Sequence, residues 1–453
     1  MQHNLTKGPI TSSILLFAFP MILGNLLQQC YNIADTLIVG RFLGANALAA
    51  VGSAYTLMTF LTSIFIGLCM GSGVLFSIYF GKNDMEGLKH SIFLSFTMIG
   101  FLTLILNIGV FCLMEPLLVW LHIPPVVLPM FREYIWIIFW GISGTFLYNY
   151  AAALLRALGN SSVPLIFLGV SAVLNLILDL WFVVGLSWGI GGAAFATVIA
   201  QMVAGIGIMI YTFARYKHLR IGRRHMVWKK NLLLEIAHCS FLTCLQQSVM
   251  NLGILMVQGL VNSFGPTVMA AFAAAVKIDS LAYLPVQDFG NAFSTFIAQN
   301  HGANQQERIK KGIRVSTLTA ILFSVAISLI VIFAAKPLLL LFISPEETEI
   351  LAVGIQYLRI EGSFYWGIGC LFLFYGLFRG IQKPGISLVL TVISLGTRVT
   401  LAYLLSAIPF IGVIGIWASV PIGWILADLA GFFFYRRFLG RKKMLSRKID
   451  ASK

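Results

Sequence analysis

Long apolar segments separated by short polar ones are the dominant pattern of this chain. Each segment is long enough to cross a membrane, because a helix needs ~20 apolar residues to span the hydrocarbon core. We therefore predict twelve membrane-spanning helices. They cover residues 14–39, 52–80, 91–119, 131–155, 163–185, 190–213, 236–262, 268–299, 314–341, 354–378, 386–408 and 411–435.

A polar stripe interrupts the first of these segments. Its members, at helical spacing, are Gln28, Tyr31, Asn32 and Asp35. Residues at i, i+3, i+4 and i+7 share one face of a helix. Asp35 is then an ionisable group at membrane depth, where such groups are costly and usually line a pathway or face a partner helix. The stripe indicates either a transport pathway or a structural Asp that pairs with a neighbouring helix.

Pro20 lies inside the same segment. Proline removes a backbone donor and its ring crowds the preceding turn, so it predicts a kink in the first helix. A bend at membrane depth is tolerated where neighbouring groups satisfy the freed carbonyl. The kink is either a hinge or a static bend, and the pattern alone leaves both open.

Composition places the chain among polytopic membrane proteins. Of its 453 residues, 59% are hydrophobic and 10% are charged, with a mean hydropathy of +0.91, which is typical of that class. The six cysteines lie in or beside apolar segments without metal-ligand spacing, which favours buried thiols. The sequence has no phosphate-binding loop, no His-Glu-x-x-His and no Gly-x-Ser-x-Gly motif. We therefore expect no enzyme activity, no cofactor and no ATP site.

The net charge of +15 is distributed by topology. With a cytoplasmic N-terminus, the cytoplasmic loops and the two ends hold 25 of the 31 Lys and Arg residues. This bias follows the positive-inside rule and predicts that both termini are cytoplasmic. The basic excess thus does not indicate nucleic-acid binding. The basic linker at 214–235 either reflects topology alone or also binds anionic lipid headgroups.

The second half of the chain repeats the first. Residues 44–50 and 81–86 correspond to 265–271 and 302–307 at one offset of 221. Because each repeat holds an even number of spans, the two halves enter the membrane in the same direction. We therefore predict two six-helix lobes related by a pseudo-two-fold axis along the membrane normal. The predicted boundaries are 1–213 for the first lobe, 214–235 for the linker, 236–435 for the second lobe and 436–453 for a basic tail.

Polar residues in helices 5 and 6 form a second candidate constellation. Asn175 and Asp179 are one turn apart, and Thr197 lies in an apolar stretch of helix 6. Together with Asp35 they offer carboxylate, amide and hydroxyl oxygens for a small cation, or carboxyl groups that hold a proton. Asn and Thr within membrane helices also make plain interhelical hydrogen bonds. Later in each half the offset is 223, since residues 156–159 correspond to 379–382. At these offsets none of the four ligands recurs in the second half.

The second half has its own ionisable residues at membrane depth, which are Lys277, Asp279 and Arg398. Lys277 and Asp279 are two positions apart and do not face each other on a helix. Arg398, which the repeat aligns with position 175, is a candidate partner for Asp279. Such a pair is either structural or in contact with substrate.

The stretch from Asn25 to Thr36, followed by Val39 to Gly44, resembles the multidrug and toxic compound extrusion (MATE) family, in its prokaryotic branch. The resemblance extends over nearly the whole chain. It implies export of organic, often cationic, compounds in exchange for Na⁺ or H⁺, by alternating opening of a cleft between the lobes. It also implies a bacterial or archaeal cytoplasmic membrane. We expect a monomer whose partners are small organic substrates and membrane lipids.

The resemblance assigns roles to single residues. Asp35 matches the essential acidic residue of helix 1, and Pro20 matches the proline at which that helix bends. Asn175, Asp179 and Thr197 match the other members of the first-lobe cation site. Gln28, Tyr31 and Asn149 match polar residues that line the same cavity. The sequence itself adds further candidate cavity or substrate residues, which are Asn32, Gln246, Gln247, Lys277, Asp279 and Arg398.

One departure from the family pattern concerns helix 7. Some members carry a Glu there, whereas this chain has Gln246 and Gln247. This predicts that the first lobe does the coupling alone. Two other functions are weighed against this chain. A flippase for lipid-linked glycans would use a cationic cavity, for which Lys277 and Arg398 are candidates. An intramembrane transferase would need clustered acids or His at a membrane face, which the sequence does not show.

Overall fold

A computed structural model describes residues 4–120 and 125–450, and within these ranges every regular element is helical. The first half contains α1 (Ile10–Leu43), α2 (Ala45–Gly81), α3 (Met85–Cys112), α4 (Met114–Trp120), α5 (Leu128–Ile138), α6 (Ile142–Ala157), α7 (Ser162–Asp179) and α8 (Gly189–Arg215). The second half contains α9 (Lys230–Asn262), α10 (Pro266–Gly302), α11 (Gln306–Phe333), α12 (Ala335–Leu339), α13 (Thr348–Gly362), α14 (Tyr365–Gly380), α15 (Pro384–Ser406) and α16 (Val413–Asp450).

The described helices account for the predicted number of membrane spans. Among the described residues, eleven helical spans are long and apolar enough to cross a membrane, and the count is twelve if α13 and α14, bent by 50° at their junction, are one span. A single 3₁₀ turn, Phe139–Gly141, joins α5 to α6, so this pair forms one span. Likewise α7 continues as a π-helical stretch, Leu180–Gly185.

The sequence repeat reappears as local structure in two loops. Asn83 and Asn304, separated by the offset of 221, both have positive φ angles, 57° and 56°. Asn tolerates this left-handed conformation better than most residues. The backbone hydrogen bonds of the two loops also correspond, since the amide of Lys82 donates to Ile78 and that of Ala303 donates to Gln299. The repeat is therefore a repeat of backbone geometry.

The chain divides into two compact units. The first comprises Met1–Gln247 with Ala298–Arg308, and the second comprises Ser248–Ile297 with Ile309–Lys453. The first unit has apolar cores packed around α2, α5, α6 and α8. In the second unit, Trp417 stacks on Phe272 and meets Tyr357 edge-on. The lobe boundaries inferred from the sequence stay predictions.

Two glycines in the first unit allow a close backbone contact that occurs twice. A Cβ added to Gly81 would overlap the carbonyl of Gln299, and one added to Gly302 would overlap the carbonyl of Ile78. Positions 299 and 302 follow 78 and 81 by 221 residues, so each contact is the repeat of the other. Only glycine permits an approach this close.

The segment before α1 is held in place by one arginine. The Arg308 guanidinium donates to the carbonyl oxygens of Leu5 at 3.1 Å, Lys7 at 2.8 Å and Gly8 at 2.7 Å. The Leu5 side chain is completely buried. These contacts fix the chain at the N-terminal end of α1.

Candidate cation site

Three helices of the first unit bring the predicted coupling residues together. Asp35 comes from α1, Asn175 and Asp179 come from α7, and Thr197 comes from α8. Asn175 and Asp179 are each only 1% exposed, Thr197 is 6% exposed, and Asp35 is half-buried. The helical periodicity of α7 explains why its two polar side chains share a face.

The Asn175 amide links Asp179, on its own helix, to Thr197 of α8. In the orientation that satisfies both ends of the amide, its nitrogen donates to Asp179 Oδ2 at 2.9 Å. Its oxygen then accepts from the Thr197 backbone N–H at 3.2 Å, and Thr197 Oγ1 lies 3.3 Å away. Thr197 Oγ1 is also 3.1 Å from the Ala193 carbonyl, which its hydroxyl can reach as a donor. Asn175 therefore orients Asp179 against α8.

The carboxyl groups of Asp35 and Asp179 interact directly. One oxygen of each, Oδ1 in both cases, is buried without a hydrogen-bond partner among the described residues. Two carboxylates this close repel each other in a medium with little water. A bound cation or a shared proton would offset that repulsion, so the pair is built to gain one positive charge.

Two tyrosines border the acid pair. Tyr31 of α1 interacts with Thr197 and with both carboxyl groups. Tyr134 of α5, which is 7% exposed, also interacts with Asp35 and Asp179. Sequence reasoning missed Tyr134, because a tyrosine in an amphipathic helix carries no signal that distinguishes it from an ordinary core residue.

The oxygen set fits a small hard cation. Carboxylate, amide carbonyl and hydroxyl oxygens are ligands suited to alkali and alkaline-earth ions. Asp35, Asp179, Asn175 and Thr197 would hold a Na⁺ ion, which would supply the positive charge that the acid pair lacks. Within the described residues, no three His, Cys, Asp or Glu side chains converge as a metal site.

The other predicted polar residues of α1 and α6 lie outside this set of contacts. Gln28 is exposed, and Asn32 and Asn149 are half-buried. The Asn32 carbonyl accepts from Thr36 Oγ1 at 2.7 Å, and Asn149 Nδ2 donates to the Thr145 carbonyl at 2.8 Å within its own helix. Their predicted role in a substrate cavity stays a prediction.

Pro20 lies within α1, which continues as a helix on both sides of it. The Leu16 carbonyl loses its helical donor at a proline four residues later. Beside it, the Phe17 carbonyl accepts a hydrogen bond of 2.7 Å from Ser161 Oγ, at the residue preceding α7. The proline region of α1 is thus tied to α7, the helix that carries Asp179.

The second unit contains a different arrangement of ionisable groups. Asp279 of α10 lies near Arg398 of α15 and Glu361 of α13, and its pairing with Arg398 stays a prediction. Glu361 is 1% exposed and escaped the sequence reasoning. The signal was present, since Glu361 is a carboxylate inside the apolar segment 354–378.

Of the remaining predicted residues, two belong to the first unit. Gln246 is 1% exposed with a buried, unpartnered Oε1, and Gln247 is half-buried. Lys277, in the second unit, is exposed with its ammonium 5.8 Å from the centre of the Phe342 ring. Lys277 therefore lies apart from the Asp279 interactions, as expected for residues two positions apart on a helix.

Comparison with known families decides the class of this protein. The MatE family model matches residues 20–181 and 239–404. The chain belongs to the MATE family of transporters. The "Probable multidrug resistance protein YpnP" of Bacillus subtilis (strain 168) is 30% identical, over 96% of both chains. The "Probable multidrug resistance protein YoeA" of the same strain is 29% identical, over 99% of this chain and 98% of the relative.

Solved structures give the same result for the fold. The chain is similar to "Crystal structure of MATE in complex with MaL6", with a TM-score of 0.91 and 23% identity over 97% of this chain and 98% of that one. The family resemblance and the predicted fold class, an all-α polytopic membrane protein with two lobes of six helices, are thereby confirmed. As a MATE multidrug efflux transporter, the protein is not an enzyme.

Proposed function

We propose that this MATE transporter is a secondary active antiporter that exports organic, often cationic, compounds in exchange for H⁺ or Na⁺ by alternating access. The observation that carries the proposal is the buried contact between Asp35 and Asp179, with Asn175 and Thr197 beside it. The names of the two Bacillus relatives, which refer to multidrug resistance, support the substrate class.

The acid pair would act as the coupling site. Binding of a cation offsets the repulsion between Asp35 and Asp179, and it draws α1 and α7 together through these side chains. An ion drives a conformational change only if it binds the two states with different affinity. Bending of α1 at Pro20 would change the position of Asp35 relative to Asp179, and so would provide that difference.

The energy available limits the stoichiometry. One charge that moves through 100 mV yields ~2.3 kcal/mol, and a tenfold substrate gradient costs ~1.4 kcal/mol. If one monovalent organic cation leaves as one cation enters, no net charge moves and the membrane potential contributes nothing. Such an exchange would depend on the concentration gradient of the ion or on a second ion.

The test is efflux of a monovalent cationic dye from proteoliposomes that contain the purified protein. One set receives an imposed Na⁺ gradient at constant pH, and the other receives a pH gradient without Na⁺. We expect one of these gradients to drive dye movement and to identify the coupling ion. Absence of transport with either gradient would contradict the antiporter proposal.

We further propose that the protein acts as a monomer in a prokaryotic cytoplasmic membrane, with both termini and the linker 214–235 on the cytoplasmic side. The distribution of Lys and Arg supports this orientation. Protease digestion of the tail at 436–453 should occur in inside-out vesicles and not in right-side-out vesicles. The opposite pattern would overturn the orientation.

A further inference from the structure

The linker 214–235 combines a high positive charge with an exposed apolar tip. It holds seven Lys and Arg residues and one acid, Glu235. The tip consists of three consecutive large apolar residues, Met226, Val227 and Trp228, whose exposed fractions are 51%, 49% and 62%. Adjacent exposed apolar side chains rimmed by polar residues mark an interaction surface. The linker therefore has a feature that topology alone does not explain.

A buried histidine fixes the backbone directly before this tip. His225 is 2% exposed, and its Nδ1 accepts a hydrogen bond of 2.9 Å from the Gly222 backbone N–H. In the neutral ring the proton is then on Nε2, which donates to Glu86 Oε2 of α3 at 3.0 Å. The His225 carbonyl in turn accepts from His90 Nδ1 of α3 at 3.0 Å. The tip is thus presented by a backbone that is already held against α3.

Trp228 packs beside a membrane span. Its ring meets the Phe93 ring of α3 edge-on, with ring centres 6.3 Å apart. Phe93 lies about 12 Å along α3 from Met85, at 1.5 Å per residue, and belongs to the apolar segment 91–119. Tryptophan is enriched at the boundary between the hydrocarbon core and the headgroups. The tip therefore lies along α3 at that boundary instead of extending into water.

Basic side chains on both sides of the tip have no acidic partner. Arg224 is engaged by Glu86, with Nη2 3.1 Å from Oε1. Arg223, Lys229 and Lys230 are exposed, and no acid among the described residues forms an ion pair with them. Three cations thus flank three exposed apolar side chains.

This combination fits the surface of a bilayer that contains acidic phospholipids. Clusters of Lys and Arg next to a span attract anionic headgroups, and Trp side chains settle at headgroup level. A free phosphate ion would pair with the cations but leave the apolar tip in water. A water-soluble protein would have to reach Trp228 beside a span, at the edge of the hydrocarbon core. An acidic lipid satisfies both the cations and the tip.

We propose that residues 222–230 form a binding site for acidic phospholipid headgroups. The basic residues of the segment pair with the phosphate groups, and Trp228 lies among the adjoining glycerol and upper acyl groups. His225 holds the segment against α3 in the position that makes both contacts possible. Because the linker joins α8 to α9, bound lipid would secure this connection at the membrane surface. The site is separate from the proposed antiport and does not depend on it.

Quenching of Trp228 by brominated phospholipids measures this contact. The protein is placed in nanodiscs of unbrominated phosphatidylcholine with increasing fractions of brominated phosphatidylglycerol, or with the same fractions of brominated phosphatidylcholine. The chain has nine Trp residues, so the Trp228 signal is taken as the difference between the wild type and Trp228→Phe. We expect the acidic lipid to quench Trp228 at a lower mole fraction than the neutral lipid. Equal quenching by the two lipids would overturn the proposal.

Two pairs of lysines separate a specific site from a general effect of charge. Lys229→Gln combined with Lys230→Gln removes two cations beside the tip, and each contributes about fivefold to the affinity for an anionic surface. The fraction of acidic lipid that gives half-maximal quenching should therefore rise by about fivefold or more. Lys310→Gln combined with Lys311→Gln makes the same change at the start of α11 and should leave this fraction unchanged. The site is wrong if the first double variant keeps the lipid preference, or if the second loses it equally.

Two further arms identify the ligand and protect the test. Excess inorganic phosphate at constant ionic strength should not reduce the quenching by the acidic lipid. If it does, the segment binds small anions and not a lipid surface. Trp228→Tyr takes the place of Trp228→Phe if the latter does not fold. The measurement needs no transport, so its result is independent of the antiporter proposal.

Discussion

The two buried acid pairs differ in the residue that accompanies them. Asn175, beside Asp179, contributes an amide, whereas Arg398, at the position equivalent in the repeat, contributes a guanidinium beside Asp279 and Glu361. A neutral oxygen ligand leaves the first pair open to an exchangeable cation. In the second unit, the positive charge of Arg398 offsets part of the negative charge of the acid pair. The two sites thus differ in the positions of their acids as well as in the residue at the equivalent positions 175 and 398.

The largest effect is expected when position 175 of the first unit receives an arginine, as at the equivalent position 398 of the second unit. Asn175→Arg would place a guanidinium beside Asp35 and Asp179, where two unit charges 4 Å apart interact by about 4 kcal/mol at an effective dielectric constant of 20. We expect at least tenfold slower dye efflux from proteoliposomes, with thermal stability maintained. Asn175→Met, of similar length without the charge, should be less impaired. Efflux at the wild-type rate by Asn175→Arg would contradict the comparison.

The reverse change should destabilise the second unit. Arg398→Asn leaves the buried acids Asp279 and Glu361 without a nearby positive charge, which is unfavourable away from water. The melting temperature should fall, and it should fall more at high pH than at low pH, because protons can replace the lost positive charge only when they are available. Arg398→Lys keeps the charge and should melt close to the wild type. A pH-independent loss of stability would show that the charge balance is not the cause.

A smaller effect is expected at Thr197, and it depends on the coupling ion. If the first site binds Na⁺, Thr197→Ala removes an oxygen ligand at a cost of about 1 kcal/mol, which corresponds to a roughly fivefold higher half-saturating Na⁺ concentration. Thr197→Ser keeps the hydroxyl and should behave as the wild type. If the site binds a proton, Thr197→Ala should leave the pH dependence of efflux nearly unchanged.

The smallest effect is expected where α1 is tied to α7. Ser161→Ala removes the donor to the Phe17 carbonyl beside Pro20, and one buried hydrogen bond contributes about 1 kcal/mol. We expect a slightly lower melting temperature and efflux within about twofold of the wild type. A large loss of transport by a stably folded Ser161→Ala protein would mean that this hydrogen bond controls the bending of α1.

The sequence predicted the membrane spans and the first acid pair for a physical reason. An ionisable residue in an apolar helix is so costly that Asp35 and Asp179 stand out, and helical spacing links Asn175 to Asp179. The repeat then marked Gly81 and Gly302 as equivalent. The structure adds that both glycines serve the same close backbone contact, which no local pattern reveals.

The sequence indicated only one of the two acids in the second pair. Asp279 and Arg398 were recognised as candidate partners, but Glu361 was not connected with them, because α10 and α13 are far apart in the chain and only tertiary packing brings them together. Tyr134 was missed because a tyrosine in an amphipathic helix looks like an ordinary core residue until the packing is known. Spacing predicts neighbours within a helix, whereas contacts between helices depend on how those helices pack.

The most direct test of the account is dye efflux by Asp35→Asn compared with the wild type, in proteoliposomes prepared with equal amounts of folded protein and the same driving gradient. Asn keeps the shape of the Asp35 side chain and removes its negative charge. The repulsion between Asp35 and Asp179, which a bound cation would offset, is then absent. We predict that the variant binds dye but does not transport it in response to either gradient. Gradient-driven efflux at the wild-type rate would contradict the role of Asp35 as the coupling residue.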